Sequence, residues 1–246
     1  MSETQLLDHR GQDLNDRTVF AMHQPNYIPW LGYFYKMANC DIFVYMDNVR
    51  FPQGRNFSTR NTIKTANGTP YLTIPVSVPK IDGERGSYNH VEIADQKWKA
   101  KHLKSIEHAY KKAPYFDEVF ELYAPNLQNH DTLVDINVSI INAVKNYLGI
   151  DTQTMLLSDI LTDLPSKTEL IVEIAKKINA NVYLSGAGGG REYNDPELLE
   201  ANDIGLSYSI FESPVYDQMW GEFNPNLSIL DALFNCGPSA YEYVKG

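Results

Sequence analysis

Thr18-Val19-Phe20-Ala21-Met22-His23-Gln24-Pro25-Asn26-Tyr27-Ile28-Pro29-Trp30-Leu31-Gly32-Tyr33 passes from an apolar run, through a histidine, into a proline-framed loop. The run predicts a short buried strand over Thr18–His23, ended by Gln24-Pro25-Asn26. Pro29 then opens a helix running to Asn39, because proline is tolerated in a first helical turn. Asp41–Asp47 (DIFVYMD) is rich in β-branched and aromatic residues and predicts a second strand. The same alternation returns near the C-terminus, with strands at Val182–Ser185 and Leu206–Phe211 around a helix at Pro196–Asn202. Strand–helix–strand at both ends predicts an α/β fold with a mainly parallel sheet flanked by helices.

Between the two ends the pattern changes. Asn61–Thr65 and Tyr71–Val78 flank Asn67-Gly68, a hairpin signal. His90–Ile93 is a further short strand. Lys97–Lys112 places Trp98, His102, Ile106, Ala109 and Ala113 at helical spacing. Asp117–Tyr123 and His130–Leu148 extend a helical middle. A strand at Thr152–Leu157 and a helix at Ser166–Asn179, with a Ser166–Glu169 capping box, lead back to the sheet. Helices at Ile229–Asn235, capped by Asn226 or Ser228, and at Ser239–Val244 close the chain. The organisation read here is a polar mobile tail over 1–17 and one α/β domain over 18–246. An inserted β-hairpin and a helical insertion at about 97–148 interrupt that domain.

The chain has 246 residues, 43% of them apolar and 21% charged, the balance of a globular protein. It carries 21 Lys and Arg against 31 Asp and Glu, a formal charge of −10. That balance argues against general nucleic-acid binding, because phosphates would be repelled. No apolar run approaches the roughly 18–20 residues of a membrane span, and the start has no signal-peptide core. Two cysteines cannot build a disulfide framework, so a cytoplasmic location is expected. Cys-His zinc spacings and an Asp-x-Asp pair are absent, so no tightly bound metal is expected.

The charge is uneven. From Asn48 to Ile81 there is no acid, and the stretch holds Arg50, Arg55, Arg60, Lys64 and Lys80. From Glu192 to Val244 there is no Lys or Arg, and ten acids there equal the whole net charge. A positive segment in an acidic protein suggests a focused site for an anionic small molecule, or else pairing with the acidic segment inside the fold.

Four motifs carry candidate chemistry. His23, Gln24, Asn26, Tyr27 and Trp30 lie where a strand ends and a helix starts, the edge that holds ligands in α/β folds. His23 suits an acid, a base or a phosphate donor, or a core histidine bonded to backbone. Arg60, Asn61 and Lys64 bring donors to one strand, with Arg60, Thr62 and Lys64 on one face if it is regular; a solvated edge strand is the alternative. Ser185-Gly186-Ala187-Gly188-Gly189-Gly190-Arg191-Glu192-Tyr193 runs from a strand into four glycines, which let backbone N–H groups approach a ligand. It is neither a Walker A sequence nor a complete GxGxxG unit, and a plain turn is its alternative. Last come Tyr216 and Gln218, then a helix carrying Asp231 and Asn235 four residues apart.

Taken together, His23-Gln24-Pro25-x-Tyr27-x-Pro29-Trp30-x-Gly32-Tyr33-Phe34, the strand with Asp47, Arg60-Asn61-x-Ile63-Lys64, the Ser185–Tyr193 loop and Leu227-Ser228-Ile229-x-Asp231-x-Leu233-Phe234-Asn235-x-Gly237 resemble the WbqC-like protein family. The resemblance runs from about residue 19 to 240. It implies a place in bacterial O-antigen (lipopolysaccharide) or other surface-glycan biosynthesis. The strand–His–loop–Gly–helix order is also similar to the H-x-G-H region of nucleotidylyltransferases. It departs from that region in placing Tyr33 after Gly32 and in the longer spacing from His23 to Gly32.

The resulting expectation is a transferase acting on a nucleotide amino sugar or related precursor, with acyl or aminoacyl transfer to a sugar amine as the reaction. His23 would act as acid, base or phosphate contact, and Asp231 would orient a partner. Arg60 and Lys64 would hold the anionic end of a nucleotide sugar, CoA or phosphate donor. Asn61, Ser185, Gly186, Gly188, Gly189, Arg191, Tyr193, Tyr216, Gln218 and Asn235 would complete the substrate site, with Tyr27 and Trp30 as an apolar wall. Nucleotidyl transfer and non-catalytic binding of a nucleotide sugar or glycan are the alternatives, and the cofactor, if any, is not specified.

Overall fold

The structure is a computed structural model and describes residues 17–188 and 194–245. Gly189, Arg191 and Tyr193 of the glycine-rich segment, and the first 16 residues, lie outside the described residues.

Five strands form one parallel sheet: β1 (Val19–His23), β2 (Ile42–Tyr45), β9 (Gln153–Leu156), β10 (Val182–Gly186) and β11 (Gly205–Ser209). Their order across the sheet is β11-β10-β1-β2-β9, with every neighbouring pair parallel. The chain therefore builds outward from β1 to β2 and β9, then returns to the other side of β1 for β10 and β11. That reversal leaves a crevice between the carboxyl ends of β1 and β10, the position where open α/β sheets bind ligands.

The strands read as apolar runs because both faces of the sheet are covered. On one face Ala21, Phe43, Tyr45, Val182 and Leu184 pack with helix α1 (Leu31–Ala38) and with the chain inserted between β2 and β9. On the other, Phe20, Ile42, Val44, Tyr183 and Leu206 pack with α5 (Leu157–Ile160) and α6 (Thr168–Ile178). The strand alternation sorts odd and even positions of β1 and β2 to opposite layers. A short helix, α7 (Pro196–Glu200), joins β10 to β11 and is capped by the Asp195 carboxylate.

The insertion holds three small antiparallel pairs and three helices. The pairs are β3 (Arg60–Thr62) with β4 (Tyr71–Thr73), β5 (Val76–Ser77) with β8 (Glu92–Ile93), and β6 (Lys80–Ile81) with β7 (Glu84–Arg85). The expected hairpin around Asn67-Gly68 is present as β3–β4, but its second strand is cut at Pro75, which has no N–H for a ladder. The helices are α2 (Lys97–Tyr110), α3 (Phe116–Gln128) and α4 (Leu133–Tyr147). After β11, α8 (Ile229–Cys236) and a 3-10 turn at Gly237–Tyr243 close the chain.

Three local expectations are corrected. The Ser166–Glu169 capping box does not form: α6 starts at Thr168 after Lys167 in a left-handed conformation, and the Thr168 hydroxyl accepts from the Asp195 N–H. Ser228 precedes α8 without capping it, its hydroxyl buried and without a hydrogen-bond partner. The regular strand through Lys64 ends at Thr62, so Arg60, Thr62 and Lys64 form no donor row. Arg60 lies over the Tyr71 ring, 4.2 Å from its centroid, while Lys64 turns inward.

The insertion fixes the loop that follows β1. The Asn137 side-chain amide on α4 donates to the carbonyls of Pro25 and Ser58, both at 2.8 Å. Asn61 donates to the Ile28 carbonyl at 2.8 Å, and the Tyr27 N–H to the Phe57 carbonyl at 2.9 Å. The Tyr27 hydroxyl meets His102 on α2 and Tyr123 on α3. Ile28 is held at φ 39°, a left-handed position that a β-branched residue adopts only when its surroundings enforce it.

Asn137→Ala removes the donor to two buried carbonyls. It should lower unfolding stability by about 2–6 kcal/mol, at ~1–3 kcal/mol for each unsatisfied acceptor. Urea denaturation measures this, and a loss under about 0.5 kcal/mol would show that the clamp does not hold the loop.

Candidate functional site

The crevice between β1 and β10 opens into a cavity of about 430 Å³. His23 at the end of β1, Ser185 and Gly186 at the end of β10, and Ala187 and Gly188 beyond it line one part. Trp30, Gly32, Tyr33 and Lys36 from the start and inner face of α1 line another, with Tyr183, Ser209 and Phe211 completing the wall. The volume lies within the ~300–1,000 Å³ typical of small-molecule sites.

His23 is oriented by its neighbours. Its Nδ1 lies 3.0 Å from the Gln24 carbonyl oxygen, and its ring meets Tyr33 edge-on at 4.9 Å. A carbonyl only accepts, so Nδ1 carries the proton and Nε2 keeps its lone pair in the neutral ring. Burial pushes the imidazole pKa down to about 4, helped by the Lys36 ammonium and opposed by the Gln24 carbonyl. At neutral pH the ring is therefore uncharged, a hydrogen-bond and proton acceptor at Nε2. The Tyr33 hydroxyl donates to the same Gln24 carbonyl at 3.3 Å, locking ring, loop and helix together.

Sequence reading missed Tyr183, Ser209 and Phe211 of this lining and, as its charged member, Lys36. Lys36 lies in the second turn of α1 on the face of Gly32 and Tyr33, at spacings of four and three, which is the signal that could have found it. It is 6% exposed, and its ammonium donates to the Met22 carbonyl at 3.0 Å. Burial pulls its pKa down to about 8.

Gly32 has a steric role. A β-carbon there would sit 2.4 Å from the Trp30 indole, which lies across the first turn of α1. Trp30 in turn meets Phe211 edge-on at 5.4 Å. At Gly186 and Gly188, which line the cavity, a β-carbon would meet nothing within 4 Å. Ser185 is buried, and its hydroxyl accepts from the Asn194 side-chain amide at 3.0 Å.

The other sequence-predicted residues gather elsewhere. Asp231 on α8 is fully buried, and its two oxygens accept from the Tyr110 and Tyr216 hydroxyls at 2.8 and 2.9 Å. Burial raises its pKa, against the pull of those two hydroxyls and of Lys64. The Lys64 ammonium donates to the Gln218 side chain at 3.0 Å and to the Glu222 carbonyl. Asn235 donates to the Asp231 carbonyl at 2.7 Å and accepts from the Met219 N–H. This knot ties α8 and the chain before it to the insertion, and none of its members lines the cavity. Asn26, Tyr27 and Asn61 belong to the clamped loop, and Gln24 reaches the site through its carbonyl. The basic segment does not line the cavity either: Arg50 pairs with Glu84, Arg60 stacks on Tyr71 and Lys64 is in the knot.

Among the described residues no group of three His, Cys, Asp or Glu side chains is placed to hold a metal. No helix among them is long and apolar enough to cross a membrane.

Two outcomes follow from this geometry. Lys36→Met removes a positive neighbour, which favours the imidazolium. The His23 pKa should rise from about 4 yet stay below the ordinary 6.5, because burial, the larger cause, is unchanged. An NMR titration of the imidazole checks it, and a fall or no change would contradict the coupling. Gly32→Ala should displace the Trp30 indole and weaken ligand binding while the thermal transition stays cooperative. Tryptophan fluorescence reads the displacement, and a wild-type spectrum would show that the indole is not held by that contact.

Comparison with known proteins places this geometry in a lineage. A relative described as "Uncharacterized protein Rv1507c", from Mycobacterium tuberculosis (strain ATCC 25618 / H37Rv), is 33% identical over 229 residues, spanning 92% of this chain and 96% of that protein. No solved structure matches the chain. The model of the WbqC-like protein family matches residues 24–243, which begin just after His23 and include the loop after β1, the whole insertion and the β10 side of the crevice. The chain belongs to the WbqC-like protein family.

Proposed function

We propose that this protein is a group-transfer enzyme acting on an activated sugar precursor of a surface glycan, with the β1–β10 crevice as its active site. One observation supports this reading above the others: a neutral, oriented imidazole stands beside a buried ammonium on the wall of a small-molecule cavity. A neutral His23 Nε2 can take a proton as a nucleophile attacks, and Lys36 offers a positive charge to an anionic reactant.

The reaction that uses these parts is acyl or aminoacyl transfer to a sugar amine. The neutral amine of the acceptor attacks the carbonyl carbon of a thioester donor and forms the C–N bond. His23 Nε2 takes the proton that the amine loses, the C–S bond breaks, and the proton passes to the departing thiolate. Burial is the larger cause of the lowered His23 pKa, and an anion bound beside Lys36 would offset the smaller one, the Lys36 charge, raising the pKa part of the way as the substrate binds. Trp30 and Phe211 supply an apolar wall for a sugar or base. Activated sugars and CoA thioesters are cytoplasmic metabolites, which sets the compartment in this reading.

A second reading is favoured by the strand order. The sequence β9-β2-β1-β10-β11 is that of doubly wound nucleotide-binding sheets, and a histidine closes the first strand. Nucleotidyl transfer would need Mg²⁺ and release pyrophosphate, and thioester-dependent transfer would do neither.

His23→Ala tests the central role. With the fold intact, kcat should fall about 10²–10⁴-fold, the usual contribution of a general base. Thiol release from acyl-CoA donors in the presence of amino-sugar nucleotides supplies the assay. Unchanged turnover in a folded His23→Ala protein would remove the histidine from the chemistry. Pyrophosphate release in place of thiol would establish the second reading, and ligand binding without either product would leave a binding protein.

A further inference from the structure

Lys36 is the cation of the cavity wall that the structure gives no carboxylate partner. It is more than nine-tenths buried, and among the described residues it forms no ion pair. Of its three donors, one is used by the Met22 carbonyl at the end of β1. A buried ammonium is costly unless it is paired, and lysines kept inside a protein usually meet a carboxylate or several carbonyls. Here the side chain faces the cavity beside His23, another group that a positive charge disfavours. Among the described residues, then, no carboxylate pairs with this ammonium on the cavity wall. The start of α1, with the partial positive charge of a helix N-terminus, lies on the same wall at Trp30 and Gly32, the Tyr33 N–H being turned back to the Trp30 carbonyl. Ser209 and the Ala187–Gly188 backbone line the same cavity, while the Ser185 hydroxyl is engaged by the Gly186 carbonyl and the Asn194 amide.

We propose that Lys36 is the anion-binding residue of the crevice and takes an oxyanion of a phosphate-bearing ligand, its free donors replacing the ion pair that the protein withholds. A tetrahedral phosphate presents oxygens toward Lys36, the start of α1 and the Ser185–Gly188 loop together. A planar carboxylate has only two oxygens to divide among three donor groups. The phosphate can come from a nucleotide sugar or from CoA, and both carry a diphosphate. This assignment deepens the reading given under Proposed function and rests on the crevice being the binding site.

The test is calorimetric titration of the full chain at neutral pH with inorganic pyrophosphate, and with UDP, dTDP and CoA as separate arms. Wild-type protein should bind pyrophosphate, and folded Lys36→Met and Lys36→Gln proteins should bind it at least about tenfold more weakly. A stronger response to UDP or dTDP than to CoA identifies a nucleotide sugar as the phosphate source, and the reverse identifies CoA. A measurement that needs no variant accompanies these: pyrophosphate should protect Lys36 of the wild-type chain from acetylation by acetic anhydride, read by peptide mass spectrometry. The assignment is overturned if the wild-type chain binds none of the four, if a folded Lys36 variant binds with wild-type affinity, or if pyrophosphate leaves Lys36 labelling unchanged. Binding that depends on Lys36 without any turnover would sink the group-transfer reading and leave this one standing. Turnover with Lys36-independent binding would do the opposite.

Discussion

One side-chain amide, that of Asn137, holds the loop on which the site depends. It reaches from the inserted helices to the carbonyls of Pro25 and Ser58, so the chain leaving β1 is tied to a separate part of the sequence. Without such a tie, a loop with two prolines and a left-handed Ile28 would have no reason to keep one shape. The loop sets where Trp30 and α1 begin, and α1 sets where Tyr33 and Lys36 meet His23. The insertion thus acts as a buttress: its helices do not line the cavity, yet they decide the geometry of the residues that do.

Charge is the second organising constraint. The protein is acidic, but the cavity wall carries a buried ammonium next to an imidazole. Burial disfavours protonation of both, and the Lys36 ammonium further disfavours that of His23. The crevice therefore sets a neutral histidine and a weakly solvated lysine side by side. An anion would relieve both constraints together. The Lys64–Asp231 knot has the opposite character: its carboxylate is satisfied by two phenols, its ammonium by an amide and a carbonyl, and nothing is left over for a ligand.

The parallel sheet was legible because its strands are short apolar runs between turn residues, and β-branched and aromatic residues fill them. The helical spacing of Trp98, His102, Ile106, Ala109 and Ala113 also named a truly buried face. Helix starts were less legible: Ser166 and Glu169 have the right types for a capping box, but the chain places Thr168 against Asp195, a contact distant in sequence. At the site, strand ends were readable, so His23, Ser185 and Gly186 were found. Lys36 was not, since a single lysine in an amphipathic helix looks like any other until the neighbouring strand is in place. Arg60 and Lys64 stood out by charge, and their placement depended on where β3 stopped, which Pro70 opposite the strand end and the packing of Ile63 decide rather than local alternation.

The central claim is that ligand chemistry belongs to the crevice between β1 and β10 and not to the buried knot around Asp231. Amide chemical-shift mapping of the labelled chain, titrated with UDP- and dTDP-sugars and with acyl-CoA, addresses it directly. The account predicts that the largest changes fall on His23, Ser185 to Gly188 and Ser209. Changes centred on Lys64, Tyr216, Gln218 and Asp231, with the crevice amides unmoved, would contradict it.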